Sequence, residues 1–265
     1  MTARPSTMEV MEVLLRRSSF VEAFAEGQKD KRTLVEELSC SRSTVDRSIR
    51  ELETLGVAEC VDGKYCLTPF GEMARTAFAD FEERLDQWFR FAPFLQWLPH
   101  DELGLDVELL ADADLYLPEP GDPWAMVNRH VTVAAQASEM RLVLPLTGLH
   151  AHRVIRERIV DAGAQATVVT TSEVVHTYQS DDAYAPLTEE MAETERYALY
   201  QYDDPVPCFV GLLDGTVQIG VDDGGEPKAL VEGESPALRE WAEATIDEFE
   251  RAATPVVTAA EPVEH

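Results

Sequence analysis

The chain has 265 residues, 45% of them hydrophobic, and sets 22 lysines and arginines against 50 acidic residues for a formal net charge of −28. This length predicts about two domains with a real core. No run of about 18 apolar residues is present to span a membrane, and the first twenty residues lack the apolar stretch and cleavage site of a signal peptide, so a cytoplasmic protein is expected. Four cysteines (Cys40, Cys60, Cys66 and Cys208) are too few and too scattered for a disulfide framework and show no zinc spacing.

The charge is uneven. Residues 1–80 hold 11 basic and 14 acidic side chains, whereas residues 81–265 hold 11 and 36. Lysine is scarce, with Lys29, Lys31, Lys64 and Lys228 the only four. Abundant carboxylate with little lysine resembles proteins of salt-accumulating halophiles, where self-repulsion is screened because the Debye length is only about 3 Å at 1 M salt. The acids are interleaved with periodic apolar residues, which points to folded domains rather than an acidic disordered tail.

In chain order, Val10, Val13, Leu14, Phe20, Val21 and Phe24 recur at helical spacing over 8–25, interrupted at Ser18-Ser19. Gly27 to Asp30 connects to a short helix, LVEEL, for which Thr33 reads as the N-cap and Glu36 completes a capping box. A turn at Ser39, Cys40 and Ser41 follows, and Ser41 or Ser43 caps a third helix that runs to about Leu55. Val45, Ile49, Leu52 and Leu55 share its buried face, and Gly56 ends it. VAEC and KYCL flank Asp62-Gly63, a two-residue hairpin signal. That turn makes Cys60 and Cys66 diagonal neighbours, poor disulfide geometry; a longer loop would bring them opposite as a redox pair. Thr68-Pro69 opens another helix with Pro at its first position.

Helix, turn, helix and hairpin in this order form the layout of a winged helix–turn–helix module over 1–72, with double-stranded DNA as the expected partner. In such a module the N-terminal turn of the third helix enters the major groove. With Val45, Ile49 and Leu52 inward, the outward set is Arg42, Ser43, Thr44, Arg47 and Ser48, flanked by Arg50. Arg42 and Arg47 are the expected base readers, because arginine bridges guanine O6 and N7. Lys31, Arg32, Ser41 and Arg50 are expected at phosphates, and Lys64 at the wing tip reaches the backbone or minor groove. Asp46 and Glu51 reduce the local positive charge and support the competing reading, a protein-interaction adaptor that binds no DNA.

Over 73–99, Phe78, Phe81, Leu85, Trp88 and Phe89 are apolar at three- and four-residue steps, and Pro93 and Pro99 end or kink the helix. A connecting and dimerisation helix is expected, since two-fold operators call for two-fold proteins. From 100 to 253 a mixed α/β domain follows. Residues 115–117 read as a strand, Trp124 to Ala137 as a helix, 141–146 and 166–170 as buried strands joined through a helix over 151–162, and 187–199 as a helix. The strand–helix–strand spacing predicts a parallel crossover. CFVGLL and TVQIGV read as a hairpin about Asp214-Gly215, KALVEG as another strand, and Ser235-Pro236 as the start of a last helix. The tail 254–265 is expected to fray.

In α/β sheets small molecules bind beyond the carboxyl ends of strands. That rim would hold Thr147, His150, Thr171 and Ser172, and Arg129, Arg141 and Arg153 could supply charge for an anionic effector. The alternative is that these arginines pair with nearby carboxylates. His150-x-His152 with Asp161 or Glu173 offers the donor types of a metal site, but the pair sits just before a helix and fits a cap better. No G-x-S-x-G, Walker or G-x-G-x-x-G pattern occurs. No metal, no cofactor and no catalytic residue is expected, and the chain is not read as an enzyme.

SRSTVDRSIRELETLGV, the Asp-Gly wing, LTPFGEMA, RLVLPL and the late CFVGLLDGTVQIGV together resemble the archaeal transcription regulators of the methanogenesis-regulatory, or FilR, type, over most of the chain. The resemblance implies a DNA-binding winged helix joined to a sensor-like domain. Related archaeal regulators of the TrmB type carry a phospholipase-D-like domain, whose active members have a His-x-Lys signature with a distant Asp. Here Lys228 is the only lysine after Lys64 and no histidine lies two residues before it, so no catalytic residue is carried over. The resulting expectation is a dimeric regulator whose second domain senses a small metabolite or mediates assembly, and whose recognition helices change spacing when an effector binds.

Overall fold

A computed structural model of the chain describes residues 5–99 and 103–258. The expectations for the start of the second domain at 100–102 and for the tail beyond 258 lie outside the described residues. The chain divides into two units, 1–89 and 90–265.

The first unit begins with α1 (Thr7–Arg16) and α2 (Ser18–Ala25), which meet at Arg17. Next come α3 (Lys31–Glu37) and α4 (Arg42–Thr54), then the hairpin strands β1 (Ala58–Val61) and β2 (Lys64–Leu67). Phe20, Phe24, Leu34, Val45, Ile49 and Leu52 are buried together in its core. Asp30, not Thr33, caps α3: its carboxylate accepts from the amides of Arg32 and Thr33 at 2.9 and 2.8 Å. An aspartate one residue before the helix satisfies two orphan amides at once, which a threonine inside the first turn does not. The turn Asp62-Gly63 has φ of +52° and +81°, the two-residue form whose twist matches the strands. Cys60 therefore opposes Tyr65, and Cys66 opposes Glu59. Lys29 adds an isolated antiparallel bridge to Tyr65, a third edge of the wing that the sequence pattern did not reveal.

α5 (Pro69–Leu95) is continuous across the boundary between the units. Its first half packs Ala74 and Phe78 on the N-terminal core, and its last turns carry Phe91 and Phe94 in the second core. Pro93, expected to end or kink this helix, lies in its last turn, and the helix ends two residues later at Leu95. A proline in the last turn removes only one backbone bond.

The second unit is built on an eight-stranded sheet. Its strands are β3 (Asp114–Tyr116), β4 (Glu139–Leu144), β5 (Gln165–Thr171), β6 (Tyr197–Tyr202), β7 (Phe209–Leu213), β8 (Thr216–Asp223), β9 (Glu226–Gly233) and β10 (Thr254–Val257). Their order is β10-β6-β5-β4-β7-β8-β9-β3. β4, β5 and β6 run parallel and the remaining pairings are antiparallel. The helices are α6 (Ala125–Ala134), α7 (Leu149–Arg156, extended by a π turn at Glu157–Asp161), α8 (Ser172–Ser180), α9 (Ala185–Ala192) and α10 (Pro236–Ala252). Side chains alternate across the sheet as period two requires. Val143, Val169 and Val210 join Leu238, Ala242 and Ile246 of α10 in one core. Leu142, Leu144 and Val168 join Ile155, Val174 and Met191 in the other.

Two expectations for this unit are corrected. Residues 187–199 are not one helix. The Thr194 hydroxyl bonds back to the Met191 carbonyl at 2.7 Å, Glu195 turns the chain at φ +58°, and Tyr197 opens β6. Residues 254–257 do not fray; they form the edge strand β10 against β6. Pro255 is tolerated there because an edge strand need not donate on its open side.

Gly71 lies in the first turns of α5, where a Cβ would stand 2.0 Å from the Val57 carbonyl oxygen. In an open helix Gly→Ala gains about 1 kcal/mol. Here the close backbone approach reverses the sign, so Gly71→Ala should cost about 1–3 kcal/mol, seen as a melting temperature lowered by several degrees.

Candidate functional site

Burial fixes what α4 presents. Val45, Ile49 and Leu52 are fully covered, which turns Arg42, Ser43, Arg47 and Arg50 to solvent. Ser41 is the N-cap, its hydroxyl accepting from the Thr44 amide at 3.1 Å. The same oxygen lies 2.8 Å from the Ser43 hydroxyl and 2.9 Å from that of Thr44. The first turn thus carries three hydroxyls at the positive end of the helix dipole. Ser48, expected on the outward face, is buried and donates to the Thr44 carbonyl at 2.9 Å. A small hydroxyl that bonds its own backbone can sit under the helix without a further partner.

The cations divide into two groups. Lys31 meets Asp46 at 2.6 Å and Arg32 meets Glu36 at 3.0 Å. Arg47 reaches Glu51 at 3.5 Å, but Glu51 is held more closely by Arg17 at 2.9 Å. That Arg17 hydrogen bond is the main reason the Glu51 carboxyl sits below its ordinary pKa, and the Lys31 bond does the same for Asp46. Arg42, Arg50 and Lys64 are exposed, and their side chains make no hydrogen bond or ion pair among the described residues. Exposed pairs are worth about 0–1 kcal/mol, so Lys31, Arg32 and Arg47 can exchange a carboxylate for a phosphate at small cost. Arg17 was not singled out from the sequence; its tie to Glu51, 34 residues away, has no local signal.

In the second unit a cavity of about 370 Å³ opens beyond the carboxyl end of β4, between α6, α7 and the β8–β9 hairpin. Thr147 and His150 line it, as expected. The other expected ligand residues do not. Arg129 is paired with Glu232, its Nε donating at 3.0 Å. Arg141 lies on the opposite face of the sheet, bonded to Asp247 at 2.6 Å and Glu250 at 3.1 Å on α10. Arg153 is exposed on α7, Thr171 caps α8 through the Val174 amide, and Ser172 points its hydroxyl at Glu173. Arg129 and Arg141 answer carboxylates that the fold brings in from about a hundred residues away. Among the described residues no group of three or more His, Cys, Asp or Glu is placed to hold a metal. His152 is buried instead, its Nε2 3.0 Å from the Thr188 hydroxyl and its ring against Tyr178.

Among the described residues no helix is long and apolar enough to cross a membrane. A capped helix beside an Asp-Gly wing, followed in the chain by an α/β domain with an open cavity, has the architecture of a winged helix–turn–helix regulator. Two family models match: the HVO_A0261 N-terminal domain over residues 6–88, and the middle domain of the methanogenesis regulatory protein FilR1 over residues 123–252. The two models match separate parts of the chain, and together they are consistent with an archaeal regulator of the FilR type. No curated protein matches it. Among solved structures, TrmBL2, described as an archaeal chromatin protein with a novel mode of DNA binding, is 14% identical at a TM-score of 0.44 over 95% of this chain and 100% of that chain. A phospholipase D family member, Nuc from Salmonella typhimurium, is 13% identical at 0.42 over 55% of this chain and 98% of its own. NucT from Helicobacter pylori is 12% identical at 0.41 over 54% and 98%.

Burial of His152 favours its neutral form and pushes its pKa down to about 4, against about 6.5 in an unfolded chain. Between those values the unfolded state binds more protons. Stability therefore falls as the pH drops from about 6.5 toward 4, by up to about 3 kcal/mol from this group. Thermal melts between pH 7 and 4.5 should show a shallower decline for His152→Gln than for the native chain.

Proposed function

We propose that the chain is a DNA-binding transcription regulator that reads a two-fold operator as a homodimer, with a second unit that senses a small metabolite. The observation that carries the DNA reading is the first turn of α4, where three hydroxyls and the unpaired Arg42 stand in the open beside Arg47, Arg50 and the wing residue Lys64. Arg42 and Arg47 reach guanine edges; Lys31, Arg32, Ser41 and Arg50 hold phosphates; Lys64 follows the backbone or minor groove. In this reading the chain works in the cytoplasm, carries no cofactor and catalyses nothing.

The acidic body opposes DNA at long range. Salt screens that repulsion and also weakens counterion release, so affinity depends more on direct contacts than on bulk charge. The protein-interaction adaptor reading draws on the Lys31–Asp46 and Arg47–Glu51 pairs, which lower the net positive charge of the recognition surface.

Dimerisation is assigned to α5. Phe81, Leu85, Trp88 and Ala92 follow steps of four, three and four, the spacing of a two-helix seam. Phe81, Trp88 and the adjacent Phe89 are 41%, 40% and 73% exposed. Phe81→Glu combined with Trp88→Glu should convert a dimer to a monomer in light scattering. A native chain that is monomeric at tens of micromolar would remove the two-fold reading.

The DNA assignment is tested by gel-shift titration over a range of KCl, using genomic fragments that include the chain's own promoter. Arg42→Ala and Arg47→Ala should each weaken the selective complex about tenfold or more, since a good arginine–guanine contact discriminates by about 1–3 kcal/mol. Absence of selective binding at every salt concentration, with and without cell extract, would favour the adaptor.

A further inference from the structure

The cavity of the second unit differs in chemistry from the anion site that the arginines suggest in the sequence. Its wall is mostly carbon, from Met126, Leu144, Ile155, Phe209, Val221 and Leu230 among others. Among the described residues no lysine or arginine lines it. Its one carboxylate, Asp222, accepts from the Gly225 amide of the β8–β9 turn at 2.8 Å. The Tyr178 hydroxyl is paired with that of Thr147 at 3.0 Å. An anion entering this space would lose its hydration without a countercharge, which is prohibitive at an apolar wall.

Three histidines also line it: His150 is exposed, His152 bonds Thr188 through Nε2, and His130 has the polar atom whose state the surrounding bonds define. His130 lies in the wall with its ring edge-on to Phe209, the centroids 4.9 Å apart. Its Nδ1 is 2.8 Å from Gln218 Oε1, and its Nε2 has no hydrogen-bond partner among the described residues. The tautomer follows from the chain of bonds behind it. Glu232, paired with Arg129, can only accept, so the Gln218 amide must turn its nitrogen toward Glu232, at 2.8 Å. That leaves the amide oxygen facing His130, so Nδ1 carries the hydrogen and Nε2 keeps its lone pair. Burial lowers the His130 pKa and keeps the ring neutral. Arg129 therefore serves the cavity at second hand, by fixing an acceptor rather than binding charge.

We propose that this cavity is the effector site and takes a neutral, largely apolar small molecule with one N–H or O–H group, which donates to His130 Nε2. The proposal rests on the reading of the second unit as a sensor and names what it senses. The volume is at the small end of ligand pockets, about 300–1,000 Å³, which suits a compact ring compound. The exposed Trp124 stands at the mouth.

The test uses the full chain and N-phenyl-1-naphthylamine, a neutral dye that brightens in apolar sites. One saturable site is expected. 2-Naphthol should displace the dye at least tenfold better than 2-methoxynaphthalene, which lacks the donor, and at least tenfold better than 2-naphthoate, which is charged. His130→Phe keeps a ring against Phe209 and should retain dye binding while abolishing the preference for naphthol over its methyl ether. Ala151→Phe, or Leu146→Trp should the first fail to fold by circular dichroism, fills the cavity and should abolish dye binding. Equal or better displacement by naphthoate, no preference for the donor in the native chain, or no dye binding by the folded chain overturns the proposal. The sensor reading is scored separately, by whether cell extract changes operator affinity. An extract effect without dye binding leaves a sensor whose site is elsewhere; the full displacement pattern with no ligand altering DNA affinity leaves the cavity chemistry and removes the sensing.

Discussion

Burial of Val45, Ile49 and Leu52 beneath α4 is the constraint on which the N-terminal unit depends. Each such side chain contributes about 1.5–3 kcal/mol when taken out of water, and together they fix the rotation of the helix about its axis. Once that rotation is set, Arg42, Ser43, Arg47 and Arg50 have no choice but the solvent face. The Ser41 cap and the Asp62-Gly63 turn then fix where the helix begins and where Lys64 is carried. A recognition surface arises here as the complement of a core.

The same economy of position governs charge. The chain carries many more acids than bases, and many of its arginines are answered by carboxylates, as at Arg141 with Asp247 and Glu250. Arg42 and Arg50 are exposed and have no ion pair among the described residues, as is also true of Arg153 and Arg251 in the second unit. What distinguishes Arg42 is its place in the first turn of α4, beside the hydroxyls of Ser41, Ser43 and Thr44. In the second unit, by contrast, Arg129 and Glu232 neutralise one another and pass only a hydrogen-bond direction onward through Gln218 to His130. Charge meets the surroundings at α4 and is hidden behind the cavity.

The elements legible in the sequence were those with local signals. The 3.6-residue period of α4, the Asp-Gly turn, Pro69 at a helix start and Ser235-Pro236 at another are written within a few neighbouring residues. The parallel crossover from β4 to β5 followed from spacing alone. Misreadings came where a local pattern was ambiguous. Ser48 looks like a surface residue until its hydroxyl is seen bonded to its own helix. YALY continues a helical count that Glu195 has already broken. The candidate ligand set failed for a different reason. The partners of Arg129, Arg141 and His130 lie 103, 106 and 88 residues away in the chain, and no window on the sequence holds both ends. Thr147 and His150 were found because a strand end is a local feature; His130 was missed because its role depends on Gln218 and Glu232.

The central claim, that paired copies of α4 read DNA from the face left open by the core, is most directly tested by hydroxyl-radical footprinting of the full chain on its own promoter in KCl. The account predicts two protected patches on one face of the duplex, centred about 34–36 Å apart or a multiple of that spacing, both lost with Arg42→Ala. A uniform cleavage pattern at every salt concentration, or a protected patch that survives Arg42→Ala and Arg47→Ala together, would contradict it.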